Sequence, residues 1–180
     1  MIYLFLADGF EETEAIGTAD VLMRAGLNVK LVGVTGKNVK GSHGINIESD
    51  LKVEDISLND SLEGVVLPGG MPGTLNLEKS EAVKEAIMYA YENGKITAAI
   101  CAAPSILGHM GILKGKNATC FPGFEDELIG ANVTGNSVSK DGNVITGNGP
   151  GSSLKFGKAI IETFIGKEKA DKILEGMQVK

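Results

Sequence analysis

Tryptophan is absent from the 180 residues, and cysteine and histidine each occur only twice. Each scarcity removes a class of chemistry. Cys101 and Cys120 cannot form a disulfide framework, and their spacing matches no zinc-ligand pattern. A reducing, cytoplasmic setting is the expectation. Basic residues are outnumbered, 17 Lys and Arg against 23 Asp and Glu, for a net charge of −6. Neither nucleic acid nor a membrane surface is therefore expected as a partner, since both require a basic face. No apolar run reaches the roughly 18 residues of a membrane span. The opening MIYLFLADGF lacks a basic lead and a small-residue cleavage site, and reads as a first strand rather than a signal peptide. No GxxxxGKS/T phosphate loop occurs. Internal repeats, linkers and low-complexity tracts are missing too, so one domain over residues 1–180 is expected.

What is present is an ordinary globular composition, 43% hydrophobic and 22% charged, with 25 glycines, many of them at the ends of apolar runs. Strand-length apolar runs recur at Ile2–Ala7, Val29–Thr35, Gly64–Leu67, Ile96–Ile100 and Val144–Thr146. Helical patterns separate most of them. Thr13–Ala25 places Ile16, Ala19, Val21, Leu22 and Met23 near one broad face. Ala82–Asn93 is closed by Gly94, Ala103–Met110 follows Cys101, and Ser152–Ile165 and Lys167–Met177 end the chain. This alternation predicts an α/β, doubly wound, mostly parallel sheet with helices on both faces. Between Gly36 and Asp50, two short alternating runs flank Ser42–Gly44 and predict a small β-hairpin excursion. Lys116–Asp141 reads as loops and minor strands.

Ligands of open parallel sheets bind beyond the carboxyl ends of the strands. The segments there are Asp8–Glu14, Gly69–Gly73, Cys101–Pro104 and Gly147–Gly151. Cys101 stands where a strand turns abruptly into a helix, among Ala98, Ala99, Ala102 and Ala103. A thiol at a helix start is expected to have a lowered pKa, below the free value of about 8.5. The alternative is an inert buried thiol. Glu11 and Glu12 read as first-turn charges on the helix dipole. Glu14 differs if its side chain reaches the Cys101 sulfur, because two anions that close titrate as a pair. The glycine loop in VVLPGGMPG exposes backbone N–H groups suited to an oxyanion, or forms an ordinary tight turn. ITGNGPGSS lacks GxGxxG spacing, Pro150 interrupts it, and no second strand follows to carry a ribose-binding acid, so NAD is excluded. A turn with Ser152 or Ser153 capping the last long helix is expected instead. His109 lies eight residues after Cys101, about 12 Å along a helix, too far to act as its base. His43 falls in the hairpin loop, where a solvated imidazole is expected. No Cys-His-Asp triad is visible within the chain.

ADGFEETEA, DVLMRAGLNV, VVLPGGMPG, NLEKSEAVKE, AAICAAPSIL, GFEDEL and GPGSSLKF occur in that order over nearly the whole chain. Together they resemble the DJ-one/ThiJ/PfpI superfamily, near its Parkinson-disease-linked, deglycase-like branch. The resemblance implies a flavodoxin-like fold, a homodimer, and a reactive cysteine at a nucleophile elbow, which falls on Cys101. It assigns the carboxylic acid partner to Glu14 and oxyanion donors to Gly70 and Ala102, with Gly69 beside them. Asp20 and Arg24 align with residues of the dimer interface, and His43 with a position where an arginine near that interface is common. The peptidase-like branch carries histidine directly after the nucleophile, whereas this chain has Ala102. The deglycase-like branch often has a histidine near the cysteine where this chain has Phe121, an apolar ring. Cys120, on the opposite side of an extended stretch, is read as structural.

Taken with Cys101 and Glu14, the resemblance implies a cysteine-dependent glyoxalase or deglycase, a lyase or hydrolase without metal or other cofactor. Its partner would be a small carbonyl substrate, an α-oxoaldehyde such as methylglyoxal or one of its adducts. An alternative is an oxidative-stress sensor or chaperone-like protein acting through Cys101 oxidation. A PfpI-type peptidase is disfavoured because no histidine base is present.

Overall fold

Ile2, Leu4 and Leu6 face one side of the first strand and Tyr3, Phe5 and Ala7 the other, and all six are buried. A strand covered on both faces is the mark of a parallel sheet between two helical layers. The computed structural model describes residues 1–179. In chain order its elements are β1 (Ile2–Leu6), α1 (Glu12–Arg24), β2 (Val29–Gly33), β3 (Asn38–Lys40), β4 (Asn46–Glu48), β5 (Leu51–Lys52) and β6 (Gly64–Leu67). Next come α2 (Gly73–Lys79), α3 (Glu81–Glu92), β7 (Ile96–Ile100), α4 (Pro104–His109), β8 (Asn117–Ala118) and β9 (Asn132–Val133). The chain closes with β10 (Val138–Asp141), β11 (Val144–Gly147), α5 (Ser153–Ile165) and α6 (Lys167–Gly176).

The central sheet has seven strands in the order β10-β11-β7-β6-β1-β2-β5, parallel except for β10, which runs antiparallel to β11. Both β2 and β6 pair with β1, so the chain reverses its winding direction at β1. The crevice at the carboxyl ends of β1 and β6 is thus the topological switch point, where such folds place ligands. One apolar layer joins the sheet to α1, α5 and α6, and the other joins it to α2, α3 and α4. The expected hairpin is present as β3 and β4, with Val39 opposite Ile47.

α1 ends as its sequence suggests. Gly26 and Leu27 donate their N–H groups to the carbonyls of Met23 (2.9 Å) and Leu22 (3.2 Å), the Schellman pair. Its buried stripe is Ala15, Thr18, Ala19 and Leu22, with Val21, whereas Ile16 and Met23 are exposed. The expectation that Ile16 and Met23 share the core face is therefore corrected. Ile16, Asp20 and Met23 follow one another at four- and three-residue spacing on the outer side.

Two further corrections concern short elements. α2 was unexpected, because seven residues behind Pro72 give little periodicity. Neither Ser152 nor Ser153 caps α5. Their hydroxyls donate backwards to the carbonyls of Gly149 (2.8 Å) and Pro150 (2.7 Å), and the helix is entered through a 3-10 turn over Pro150–Ser152.

Candidate active site

Cys101 is the first residue beyond β7, and its φ of 67° is a left-handed conformation that an L-residue enters only under constraint. Such a backbone costs about 1–3 kcal/mol and persists only where surrounding bonds over-determine it. Here they do. Cys101 N–H donates to the carbonyl of Gly147 at 2.9 Å, and the Cys101 carbonyl accepts from Phe121 N–H at 2.8 Å. On the helix side, Ser105 donates its N–H and hydroxyl to the Ala102 carbonyl at 3.1 and 2.7 Å. The small buried side chains of Ala98, Ala99, Ala102 and Ala103 let the turn close. The strand–turn–helix elbow is real.

Glu14, in the first turn of α1, is 1% exposed and accepts Gly69 N–H on Oε2 at 2.7 Å. Glu11 holds that turn in place as its N-cap, accepting Glu14 N–H at 2.7 Å. Glu14 Oε1 is buried with no hydrogen-bond partner among the described residues, and the carboxyl lies beside the Cys101 thiol. Burial, the largest influence, raises Glu14 to about 7, against the lowering contacts of Cys101 and Gly69 N–H. Burial and then the Glu14 charge push the Cys101 thiol up to about 12, while the N–H groups of Ala102 and Gly70 at the sulfur pull it down.

Opposing influences meet at the sulfur: burial and the facing acid raise the thiol, while the N–H groups of Ala102, in the turn ahead of the six-residue α4, and of Gly70 favour its anion. The two groups accommodate one negative charge between them. In its carboxylate form Glu14 is chemically able to accept the thiol proton.

Gly69 makes this proximity possible. A Cβ at Gly69 would stand 2.7 Å from Cys101 Cβ, 2.9 Å from Glu14 Oε2 and 3.0 Å from Ala102 N. Gly69→Ala is therefore expected to wedge acid and thiol apart. It should slow Cys101-dependent turnover about 100-fold, the scale of a 1 Å misplacement, and destabilise by about 1–3 kcal/mol through overpacking. Steady-state kinetics and urea melts check both.

The other candidates are placed as follows. Phe121 is 43% exposed; its N–H holds the Cys101 carbonyl and its ring lies against Gly149, on the rim of the site. Cys120 is buried in the opposite apolar layer, with burial pushing its thiol to about 11. Asp20 and Arg24 lie on the outer face of α1, Arg24 Nε donating to Asp20 Oδ2 at 2.8 Å.

Glu12 is the acidic first-turn residue of α1 that the sequence suggests, and it does more than face the helix dipole. It is buried and accepts from His43 N–H (2.7 Å), His43 Nδ1 (2.8 Å), Ser42 Oγ (3.2 Å) and Ile45 N–H (3.4 Å). These bonds, led by His43, outweigh burial and lower Glu12 from 4.5 to about 2. The signal was there in the glycine-flanked SHG turn, but nothing local pointed it at α1. Glu11, Glu12 and His43 bring ligand atoms within 4.8 Å of one another, yet Glu12 and the ring already satisfy each other.

Because its pKa is depressed on folding, Glu12 stabilises fully above pH 4.5, and that contribution is lost as the pH falls toward 2. Glu12→Ala should cost about 1–3 kcal/mol at pH 7, where it orphans these donors. The gap from the unsubstituted protein should close in urea melts at acid pH.

The chain is similar to known proteins along nearly its full length. It matches the DJ-1/PfpI family over residues 1–163. It is 37% identical to Protein dj-1beta of Drosophila melanogaster, covering 98% of this chain and 95% of that one. It is 33% identical to the glutathione-independent glyoxalase DJR-1.2 of Caenorhabditis elegans, covering 92% and 88% respectively. The oxidized DJ-1 structure of Toxoplasma gondii superposes with a TM-score of 0.93 at 30% identity, over 98% of this chain and 97% of that one. The switch-point crevice, the strained cysteine turn and this similarity agree, and the chain belongs to the DJ-1/PfpI family.

Proposed function

We propose that the protein is a cofactor-free glyoxalase or deglycase that converts α-oxoaldehydes such as methylglyoxal, or their adducts, to hydroxy acids. The observation that carries this reading is the Glu14 carboxyl seated beside the Cys101 thiol, with Gly70 and Ala102 N–H groups at the sulfur. Glu14 carboxylate accepts the thiol proton as sulfur bonds to the aldehyde carbon, and the two N–H groups steady the oxyanion. Glu14 returns the proton to that oxygen, giving a neutral hemithioacetal. It then removes the C–H proton from the former aldehyde carbon and delivers one to the neighbouring carbon, while the hydroxyl proton on the first carbon passes to the neighbouring oxygen, so that the first carbon becomes the carbonyl and the second bears the hydroxyl. The product is a lactoyl thioester on Cys101. Water cleaves it to lactate and the free thiol, so the sum is methylglyoxal plus water giving lactic acid. Glutathione has no part in this scheme, in keeping with the activity named for the nematode relative.

The test is lactate formation from methylglyoxal by purified protein without added thiol. No lactate above the heat-inactivated control rejects the reading.

A sensor role is the second reading, favoured by the same N–H groups, which would receive the oxygens of an oxidised sulfur, and by an apolar Phe121 on the rim. Selective peroxide oxidation of Cys101 over Cys120 in the absence of turnover would support it. The exposed α1 stripe of Ile16, Asp20 and Met23, with Arg24 beside it, is consistent with a homodimer, as is exposed His43 on the adjoining loop. Two free cysteines accord with a reducing, cytoplasmic setting. No helix among the described residues is long and apolar enough to cross a membrane.

A further inference from the structure

His109, excluded above as a base for Cys101, has both ring nitrogens engaged. Nδ1 lies 2.5 Å from Glu78 Oε1 on α2, and Nε2 lies 2.8 Å from Glu127 Oε2 at the end of the 3-10 turn Glu125–Glu127. Each attached segment begins at the active site. α2 follows the Gly69–Gly70 loop and is pinned to it by Thr74, whose N–H and hydroxyl donate to the Gly70 carbonyl at 2.9 and 3.0 Å. The 3-10 turn follows Phe121, whose N–H holds the Cys101 carbonyl. α4, which carries His109, follows Cys101 itself. The contact is close: a Cβ at Gly108 would stand 2.2 Å from the Glu127 carbonyl oxygen. A cavity of about 280 Å³ lies among the three segments, walled by Met71, Leu75, Ser105 and Phe124 together with the His109 cluster.

We propose that His109 is a positioning residue, a clip that holds the glycine donor loop and the Phe121 segment against the Cys101 turn while its ring carries two protons. The inference rests on reading Cys101 and Glu14 as the reactive pair. An imidazolium has two N–H groups and satisfies both carboxylates, whereas neutral imidazole has one and must leave a carboxylate facing a lone pair. Glu78 from α2 and Glu127 from the 3-10 turn are the charged groups acting on the ring, and together they raise its pKa above 6.5. With a raised pKa in the folded state, the clip contributes fully below pH 6.5 and is lost as the pH rises through the raised value. Glu127 is the more exposed partner, 53% against 29% for Glu78, so the 3-10 turn is the segment released.

The experiment pairs an NMR titration of the His109 ring with amide hydrogen exchange, corrected for intrinsic base catalysis. His43→Gln identifies the other imidazole. Protection of residues 121–128 should fall about two- to fivefold as His109 loses its proton, the range of a half-exposed ion pair. His109→Gln should show the low value at every pH, and the midpoint of Cys101 alkylation by iodoacetamide, followed by peptide mass, should move upward. Glu127→Ala should loosen residues 121–128 at pH 6 while leaving residues 69–77 protected, which separates release of the clip from general unfolding. Protection that does not change across the His109 titration, or a His109→Gln profile equal to that of the unsubstituted protein, overturns the proposal. None of these readouts measures turnover, so a failed glyoxalase assay and a failed clip are distinguishable.

Discussion

Cys101→Ser is expected to abolish lactate formation from methylglyoxal, with a loss of at least about 10³-fold, the scale of removing a covalent nucleophile. The hydroxyl keeps the shape and the hydrogen-bonding capacity of the side chain but is far less nucleophilic than sulfur. The strained turn itself should survive, because its φ of 67° is enforced by bonds to Gly147 and Phe121 rather than by the side chain. The melting temperature is therefore expected to change little while turnover disappears. A serine variant that retained the rate would mean that the sulfur takes no part in the chemistry.

Glu14→Gln is expected to lower kcat by about 10²–10³, since the amide can neither accept the thiol proton nor carry one between carbons. In the unsubstituted protein, turnover and Cys101 alkylation should both rise as the pH passes through about 7, where the carboxylate forms. In the variant that step should vanish, leaving a thiol that burial still holds above its ordinary range. Stability should move the other way. Glu14 has a raised pKa in the folded state, so its contribution is complete below pH 4.5 and is lost as the pH rises to about 7. That loss amounts to up to about 3 kcal/mol at alkaline pH, at 1.36 kcal/mol for each pKa unit. Glu14→Gln should accordingly match or exceed the unsubstituted protein in urea melts at pH 8 while losing its activity. Such a trade of stability for chemistry is what a buried catalytic acid predicts.

Much of the architecture was legible because it is locally encoded. The runs at Ile2, Val29, Gly64, Ile96 and Val144 became parallel strands, and the alternation on either side of Ser42–Gly44 became the hairpin. The gathering of Cys101, Glu14 and the glycine loop followed from where the strands end in such a sheet. α2 was not legible, because seven residues carry too little periodicity. The outward turn of Ile16 and Met23 was hidden as well, since hydropathy does not say which apolar stripe of a helix finds the sheet.

Sequence alone determined the alternating strands and helices and the placement of Cys101 at a strand end. These depend on residue order and on the fixed rise of helices and strands. Tertiary structure alone decided the electrostatics. It buried Glu14 against Cys101, setting burial and a facing acid against the pull of the N–H groups at the sulfur. It drew Glu12 under the hairpin loop, and it joined His109 to carboxylates 31 and 18 residues away. The physical reason is that a pKa is set by desolvation and by charges within a few ångströms, and which groups come that close is settled only when the chain packs.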